Sequence, residues 1–366
     1  MYFLLSYLYR FIIFIRFWCY DKNLFKKFKF SVPIISIGNI SVGGTGKTPM
    51  TIYLAKILTE NKIKHVIISR GYKKKIYGTV VVSDGKGDVI KSSKEGGDEP
   101  LLMAHVLPKT PIISGERKNL AIDLAIQLFN PKIILLDDGL QSHYITKNVD
   151  IALFNCLHPQ NKFHLLPYGT LRELPSALLR SQIVIFTKYN LMEHYQYKSF
   201  PFTQVVAFLR ANNHPFIFAN YDSYYQEYSI DKNRLLSKHY FLKDGKNTIK
   251  ESLKSMSVYA ISGVGDSLSF NLLCKQYFKN IIKIINYPDH HHYSQLQPFL
   301  EQQFNNIDCD PRALVTTYKD LIKFQDDDNS ILRWLKNKNI RVLVIGIEIN
   351  LPDSQQLIQM IKNLVP

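Results

Sequence analysis

Between Ser36 and Pro49 the chain reads SIGNISVGGTGKTP, a glycine-rich loop that runs into a lysine and a threonine. Residues of these types at this spacing hold phosphates. Gly43, Gly44 and Gly46 keep side chains away while backbone amides close around a phosphate, Lys47 neutralises β- and γ-phosphate oxygens, and the Thr48 hydroxyl can bind Mg2+. Ser41 stands where the usual G-x-x-x-x-G-K-[ST] spacing puts its first glycine, but the residues nearest the phosphate are Gly43 to Thr48.

Such a loop needs a carboxylate at the end of a neighbouring strand to hold Mg2+, and KIILLDDGLQ supplies Asp137 and Asp138 after an apolar run. GGDEP places Asp98 ahead of a helical pattern, where it either accepts a proton from an attacking hydroxyl or caps the helix. Arg70 in SRGY, Arg117 in SGERKN and Arg172 in GTLREL offer cations for phosphate oxygens or for developing charge. In YPDHHHYS, His290, His291 and His292 are consecutive and cannot all face one ion from a regular element. An Asp289–His290 acid–base pair is the sharper reading there. QDDDN is read as a solvated loop.

These residues need rigid elements behind them. PIISIG, the glycine loop and PMTIYLAKIL follow the strand–loop–helix order that a phosphate loop requires. VPIISIG, KHVIISR, KIILLD, VDIALFN and SQIVIFT are apolar on both faces, as buried parallel strands are, and helical patterns separate them. This predicts a doubly wound α/β domain over 31–199. The stretch 200–240 is aromatic and polar and reads as a β-rich, hairpin-like linker. A second, smaller α/β series fills 241–366, from SVYAISGVGD through ALVTTYKD to RVLVIGIEI and a last helix.

A chain of 366 residues suits two domains, and 46% hydrophobic content excludes disorder. Cys19, Cys156, Cys274 and Cys309 are scattered, which argues against a zinc ribbon or disulfide framework and fits a reducing compartment. A net charge of +16 calls for an anionic partner: nucleic acid, lipid headgroups or a phosphorylated substrate. Residues 1–30 favour lipid. Ten Leu, Ile and Phe residues within MYFLLSYLYRFIIFIRFWCY gain about 0.3–0.6 kcal/mol each on insertion, against about 2.5–3.5 kcal/mol for a central Arg10 and less for Arg16. That near-balance favours a helix in the interface or a marginal span, and the alternating Lys and Phe of DKNLFKKFKF suits anionic headgroups. The arginines and the lack of an A-x-A-like site argue against a cleaved signal peptide, and a buried N-terminal helix is the alternative.

Taken in order, GNISVGGTGKTP, SRGY, GDEP, DDGLQ, GTLRE, FTK, PDHH and TTYKD resemble the tetraacyldisaccharide 4′-kinases of lipid A biosynthesis along essentially the whole chain. The resemblance implies an ATP- and Mg2+-dependent kinase that moves the γ-phosphate to the 4′-hydroxyl of a tetraacylated glucosamine disaccharide 1-phosphate. It implies a place at an anionic membrane surface, the cytoplasmic face of the inner membrane of a Gram-negative bacterium, with no nucleic acid and no protein partner. The implied fold is a P-loop NTPase-like doubly wound parallel sheet with a second, smaller α/β lobe.

By motif, Ser41, Val42, Gly43, Gly44, Thr45, Gly46, Lys47, Thr48 and Gln141 are similar to the family's ATP-binding residues, where serine at the first position is familiar. Thr48, Asp137, Asp138 and Glu173 match the metal side. Asp98 matches the proposed base, supported by His290, and Arg172 matches the catalytic set. Ser142, His143, Leu174 and Tyr318 depart from the family pattern. A soluble P-loop NTPase acting on nucleic acid is the competing reading, and it leaves the apolar start unexplained.

Overall fold

A computed structural model describes residues 2–72, 74–87, 89–194, 200–230, 234–236, 239–240, 242–243, 246–247, 255–289, 291, 293, 296–304, 313–326 and 330–364. Contacts divide the chain into two compact units, Met1–Tyr221 with Ile349–Pro366, and Asp222–Glu348.

In the first unit, β1 (Ile34–Asn39), β2 (His65–Ser69), β5 (Ile133–Asp137) and β7 (Ile183–Thr187) are buried at every position, and β6 (Val149–Asn155) at all but the last. These are the five apolar runs picked out in the sequence, and burial on both faces is what their unbroken apolar character requires. With β3 (Val80–Asp84), β4 (Pro111–Ser114) and the start of β8 (Phe216–Ser229), the order is β3-β4-β2-β5-β1-β6-β7-β8. Only the pairing of β3 with β4 is antiparallel. Strand β1 is central, and Ile37 lies in register with Asp137 of β5. The glycine loop and the acidic pair therefore leave the sheet side by side.

Helix α1 (Tyr2–Asp21) precedes the sheet, and α2 (Lys47–Glu60), α3 (Ser93–Gly96), α4 (Asp98–Val106), α5 (Lys118–Phe129), α6 (Tyr189–His194) and α7 (Phe200–Ala211) accompany it. Strands had been expected across the start of 200–240, but α7 occupies it. Val205, Val206 and Leu209 recur at helical spacing and bury one face against Phe154, Phe186 and their neighbours. The tail of β8 pairs antiparallel with β9 (Arg234–Leu235) and β10 (His239–Tyr240), so the hairpin character begins later than expected.

Helix α1 is long and apolar enough to cross a membrane, and none of its apolar window is buried in the protein. Phe3, Leu4, Leu8, Phe11 and Phe14 are exposed, which rules out the buried-helix alternative. Its other side rests on the unit. Tyr9 Oη donates to the Arg172 carbonyl at 3.2 Å, and Phe17 packs on His143.

In the second unit β11 (Ser257–Ser262), β12 (Asn280–Asn286), β13 (Ala313–Thr317) and β14 (Arg341–Asn350) form a parallel set in the order β12-β11-β13-β14. Asp320 of TTYKD is fully buried among the strand ends. It accepts from Gly263 N at 3.1 Å, Tyr293 Oη at 2.9 Å and Thr317 Oγ1 at 2.7 Å, with the Lys323 ammonium 3.9 Å away.

Candidate active site

The loop after β1 is shaped by its glycines. Gly46 sits at φ 90°, and a Cβ there would meet Tyr221 Oη at 1.8 Å; it caps α2, whose first-turn amides have no acceptor within the helix. Gly38 lets the DDGL turn come close, since a Cβ on it would lie 2.4 Å from Leu140 Cβ. The carbonyls of the loop are held from behind. Lys188 Nζ donates to Gly44 O at 2.7 Å and Thr187 Oγ1 to Thr45 O at 2.9 Å. Asn39 Nδ2 donates to Ser41 O and Thr45 Oγ1, both at 2.7 Å, and Lys47 Nζ reaches Asn39 Oδ1 at 3.4 Å. Ser41 and Thr45 are buried and Val42 is exposed, so the serine in the first-glycine position serves the loop's inner wall.

The acidic pair splits in environment. Asp137 is buried and accepts from Ser69 Oγ at 3.0 Å and Thr51 Oγ1 at 3.4 Å; burial, then the neighbouring Asp138 charge, pushes its carboxyl up to about 6. Asp138 has a left-handed backbone at φ 51°, an uncommon state for a non-glycine residue that collects at functional sites. Arg172 Nη1 donates to both its carboxylate oxygens at 3.0 Å, and Lys47 Nζ is 3.6 Å away. Burial alone would raise this carboxyl, but Lys47, Arg172 and Lys118 outweigh it and hold it well below the ordinary range. Its cation neighbours thus favour the charged form of Asp138.

The LRE segment crosses the loop. Arg172 N and Glu173 N both donate to Ile40 O, at 2.7 and 3.3 Å, and Val42 N donates to Thr170 O at 2.8 Å. Gln141 Nε2 bridges Asn39 O at 2.8 Å and Glu173 Oε1 at 2.9 Å, while Arg172 Nη1 reaches Gln141 Oε1 at 3.4 Å. The second Glu173 oxygen takes Arg180. Of the residues picked out by sequence, the structure therefore gathers Ser41 to Thr48, Asp137, Asp138, Gln141, Arg172 and Glu173.

The sequence profile of the tetraacyldisaccharide-1-P 4′-kinases, LpxK, matches residues 1–366. The chain belongs to this family. It is 32% identical to the tetraacyldisaccharide 4′-kinase of Halothermothrix orenii over 98% of this chain and 90% of that one. It is 33% identical to that of Aquifex aeolicus over 88% and 89%. The crystal structure of the "apo" form of LpxK from Aquifex aeolicus in complex with ATP is similar at TM-score 0.71 and 28% identity, covering 100% of this chain and 98% of that one.

Other residues of this kinase family member stand apart from the gathered set. Asp98 is half-buried at the first position of α4, and Gly97 occupies the N-cap, so the capping role open to Asp98 falls to its neighbour. A Cβ on Gly97 would lie 2.7 Å from Gly71 Cα, so SRGY and GDEP touch through their glycines, and α4 packs on α2. Arg70 and Arg117 are exposed, at the end of β2 and ahead of α5. His290 lies outside the described residues. Lys319 pairs with Asp289 at 2.9 Å in the second unit, and among the described residues no three His, Cys, Asp or Glu side chains gather as a metal cage.

Sequence reasoning missed two buried lysines. Lys118 Nζ donates to Asp137 O at 2.7 Å and to Asp138 O at 2.5 Å, fixing the acidic turn from below; burial pulls it down to about 8 against the pull of the two aspartates. Lys188, at φ 64°, is drawn by burial to about 7. Lys188 had a signal in FTK, and Lys118 only in its place beside Arg117.

Proposed function

We propose that the chain transfers the γ-phosphate of ATP to the 4′-hydroxyl of a tetraacyldisaccharide 1-phosphate, using Mg2+, in the assembly of lipid A. The observation that carries this reading is the Lys47–Asp138–Arg172 cluster beside a glycine loop, in a chain of this family over its full length. ATP phosphates lie on the amides of Gly43 to Thr48 and on Lys47. Thr48, Asp137, Asp138 and Glu173 supply the hard oxygen donors that would hold Mg2+, which neutralises β- and γ-oxygens when bound. Asp98 takes the proton of the 4′-hydroxyl as its oxygen bonds to the γ-phosphorus; the bridging P–O bond breaks and ADP leaves. Arg172 offsets charge on the transferring group, and Arg70 and Arg117 attract anionic substrate.

The exposed face of α1 and its lysine-rich flank hold the enzyme to an anionic bilayer, at the cytoplasmic face of a bacterial inner membrane. Removing residues 2–21 is expected to move the protein from membrane to soluble fractions, and unchanged partitioning contradicts this part of the reading. The activity is tested with purified protein, γ-labelled ATP, Mg2+ and the tetraacyldisaccharide 1-phosphate in detergent. Label is expected in the lipid phase. Label released only as phosphate, with RNA stimulating hydrolysis, would support a nucleic-acid NTPase instead.

A further inference from the structure

Arg180 links the N-terminal helix to the nucleotide site. Arg180 ends a short 3₁₀ segment, Pro175–Arg180, with its guanidinium carbon 4.9 Å from the Phe17 ring centroid of α1. On its other side it pairs with the buried Glu173 carboxylate. Glu173 holds Gln141 at 2.9 Å, Gln141 holds the Asn39 carbonyl at 2.8 Å, and the Asn39 side chain holds Ser41, Thr45 and Lys47 of the phosphate loop. Each link is a hydrogen bond or charge contact, side chain to side chain or side chain to backbone carbonyl, among groups that are wholly or partly buried. In such surroundings a loosened partner leaves a polar group unpaired, so displacement passes along the row.

We propose that Arg180 is a positioning residue: clamped between Phe17 and Glu173, it sets Gln141 against Asn39 and so ties the N-terminal helix to the geometry of the phosphate loop. An anchor alone needs no such contact. Phe17 is on the protein-facing side of α1, and the Tyr9 hydroxyl bond to the Arg172 carbonyl adds a second tie to the same LRE segment. The helix thereby forms one wall of the catalytic assembly. A guanidinium suits the place, because its plane stacks on an aromatic ring while its edge donates to a carboxylate; a lysine keeps the charge and loses the stacking fork.

This inference deepens the kinase reading of the same site, and its test has a readout that needs no acceptor. Binding of Mg2+ with a non-hydrolysable ATP analogue to the full chain in detergent is measured by calorimetry, beside kcat and the KM for lipid. Arg180→Met is expected to weaken analogue binding and to lower kcat by about tenfold each, with lipid KM within about twofold of the wild type. Arg180→Lys should recover part of both, and Phe17→Ala should lose about three- to fivefold in the same two quantities. The double variant is expected to be no worse than Arg180→Met, since both changes break one link. Losses that multiply in the double variant, a change confined to lipid KM, or a lowered melting temperature with unchanged analogue affinity would each overturn the proposal. If the wild type binds the analogue but phosphorylates no lipid, the kinase reading fails while the binding comparison still decides the role of Arg180.

Discussion

The acidic turn after β5 and Asp320 in the second unit are both motif aspartates at the ends of parallel strands, yet their surroundings differ in kind. Asp138 faces three cations, Lys47, Arg172 and Lys118, and keeps its charge although burial opposes it. Asp320 is more deeply buried, and its hydrogen bonds come from an amide, a phenol and a hydroxyl. A carboxylate hydrogen-bonded by neutral donors, with a single ammonium, Lys323, 3.9 Å away, ties strand ends together. One set among several cations at the edge of a phosphate loop is placed to share those partners with a metal and a nucleotide.

The sharpest way to break this contrast is to remove a cation from the first region. Lys47→Ala is expected to cost about 10²–10³-fold in kcat/KM for ATP, the scale of losing one preorganised donor to developing charge. A loss below about threefold, within the range of an ordinary surface change, would make the cluster structural. Asp98→Ala should lower kcat by about 10²-fold with ATP affinity nearly unchanged, in line with general base catalysis; loss of nucleotide binding instead would assign Asp98 to the metal or to the fold.

The second region should answer differently. Asp320→Asn is expected to cost about 1–3 kcal/mol in denaturant unfolding, through an unmatched buried group, while kcat per folded molecule stays at the wild-type value. A large fall in kcat without a loss of stability would place Asp320 in the chemistry and erase the contrast.

The smallest effect separates the two neighbours within the first region. Asp137 titrates at about 6 in the folded chain, above the ordinary aspartate value of about 4, so the folded state holds a proton that the unfolded state releases between them. Stability from this group is present below about pH 4 and lost as pH rises through about 6, while the metal side gains its charge over the same window. The half-saturating Mg2+ concentration should therefore rise as pH falls below about 6 in wild type, and Asp137→Asn should flatten that dependence. A wild-type Mg2+ requirement that is flat from pH 7 to 5 would contradict it.

The parts of the site carried by consecutive residues were legible in sequence. The glycine loop, the acidic pair and the five buried strands each declare themselves within a dozen positions, because backbone geometry and strand burial act locally. The hairpin expected at the start of 200–240 misread Val205, Val206 and Leu209, whose helical spacing was masked by surrounding aromatics. The supports of the site were hidden because their partners are remote: Lys188 reaches a carbonyl 144 positions away, and Lys118 one 19 positions away. Arg180 reads as a surface arginine until the fold brings Phe17 and Glu173 to its two sides.

The most direct test of the account is the position of the phosphate on the product. Wild-type protein incubated with ATP, Mg2+ and the tetraacyldisaccharide 1-phosphate, followed by 31P NMR of the extracted lipid, is expected to show a second phosphomonoester at the 4′ position, absent with Lys47→Ala. ATP consumed to free phosphate while the disaccharide keeps only its 1-phosphate would contradict the account.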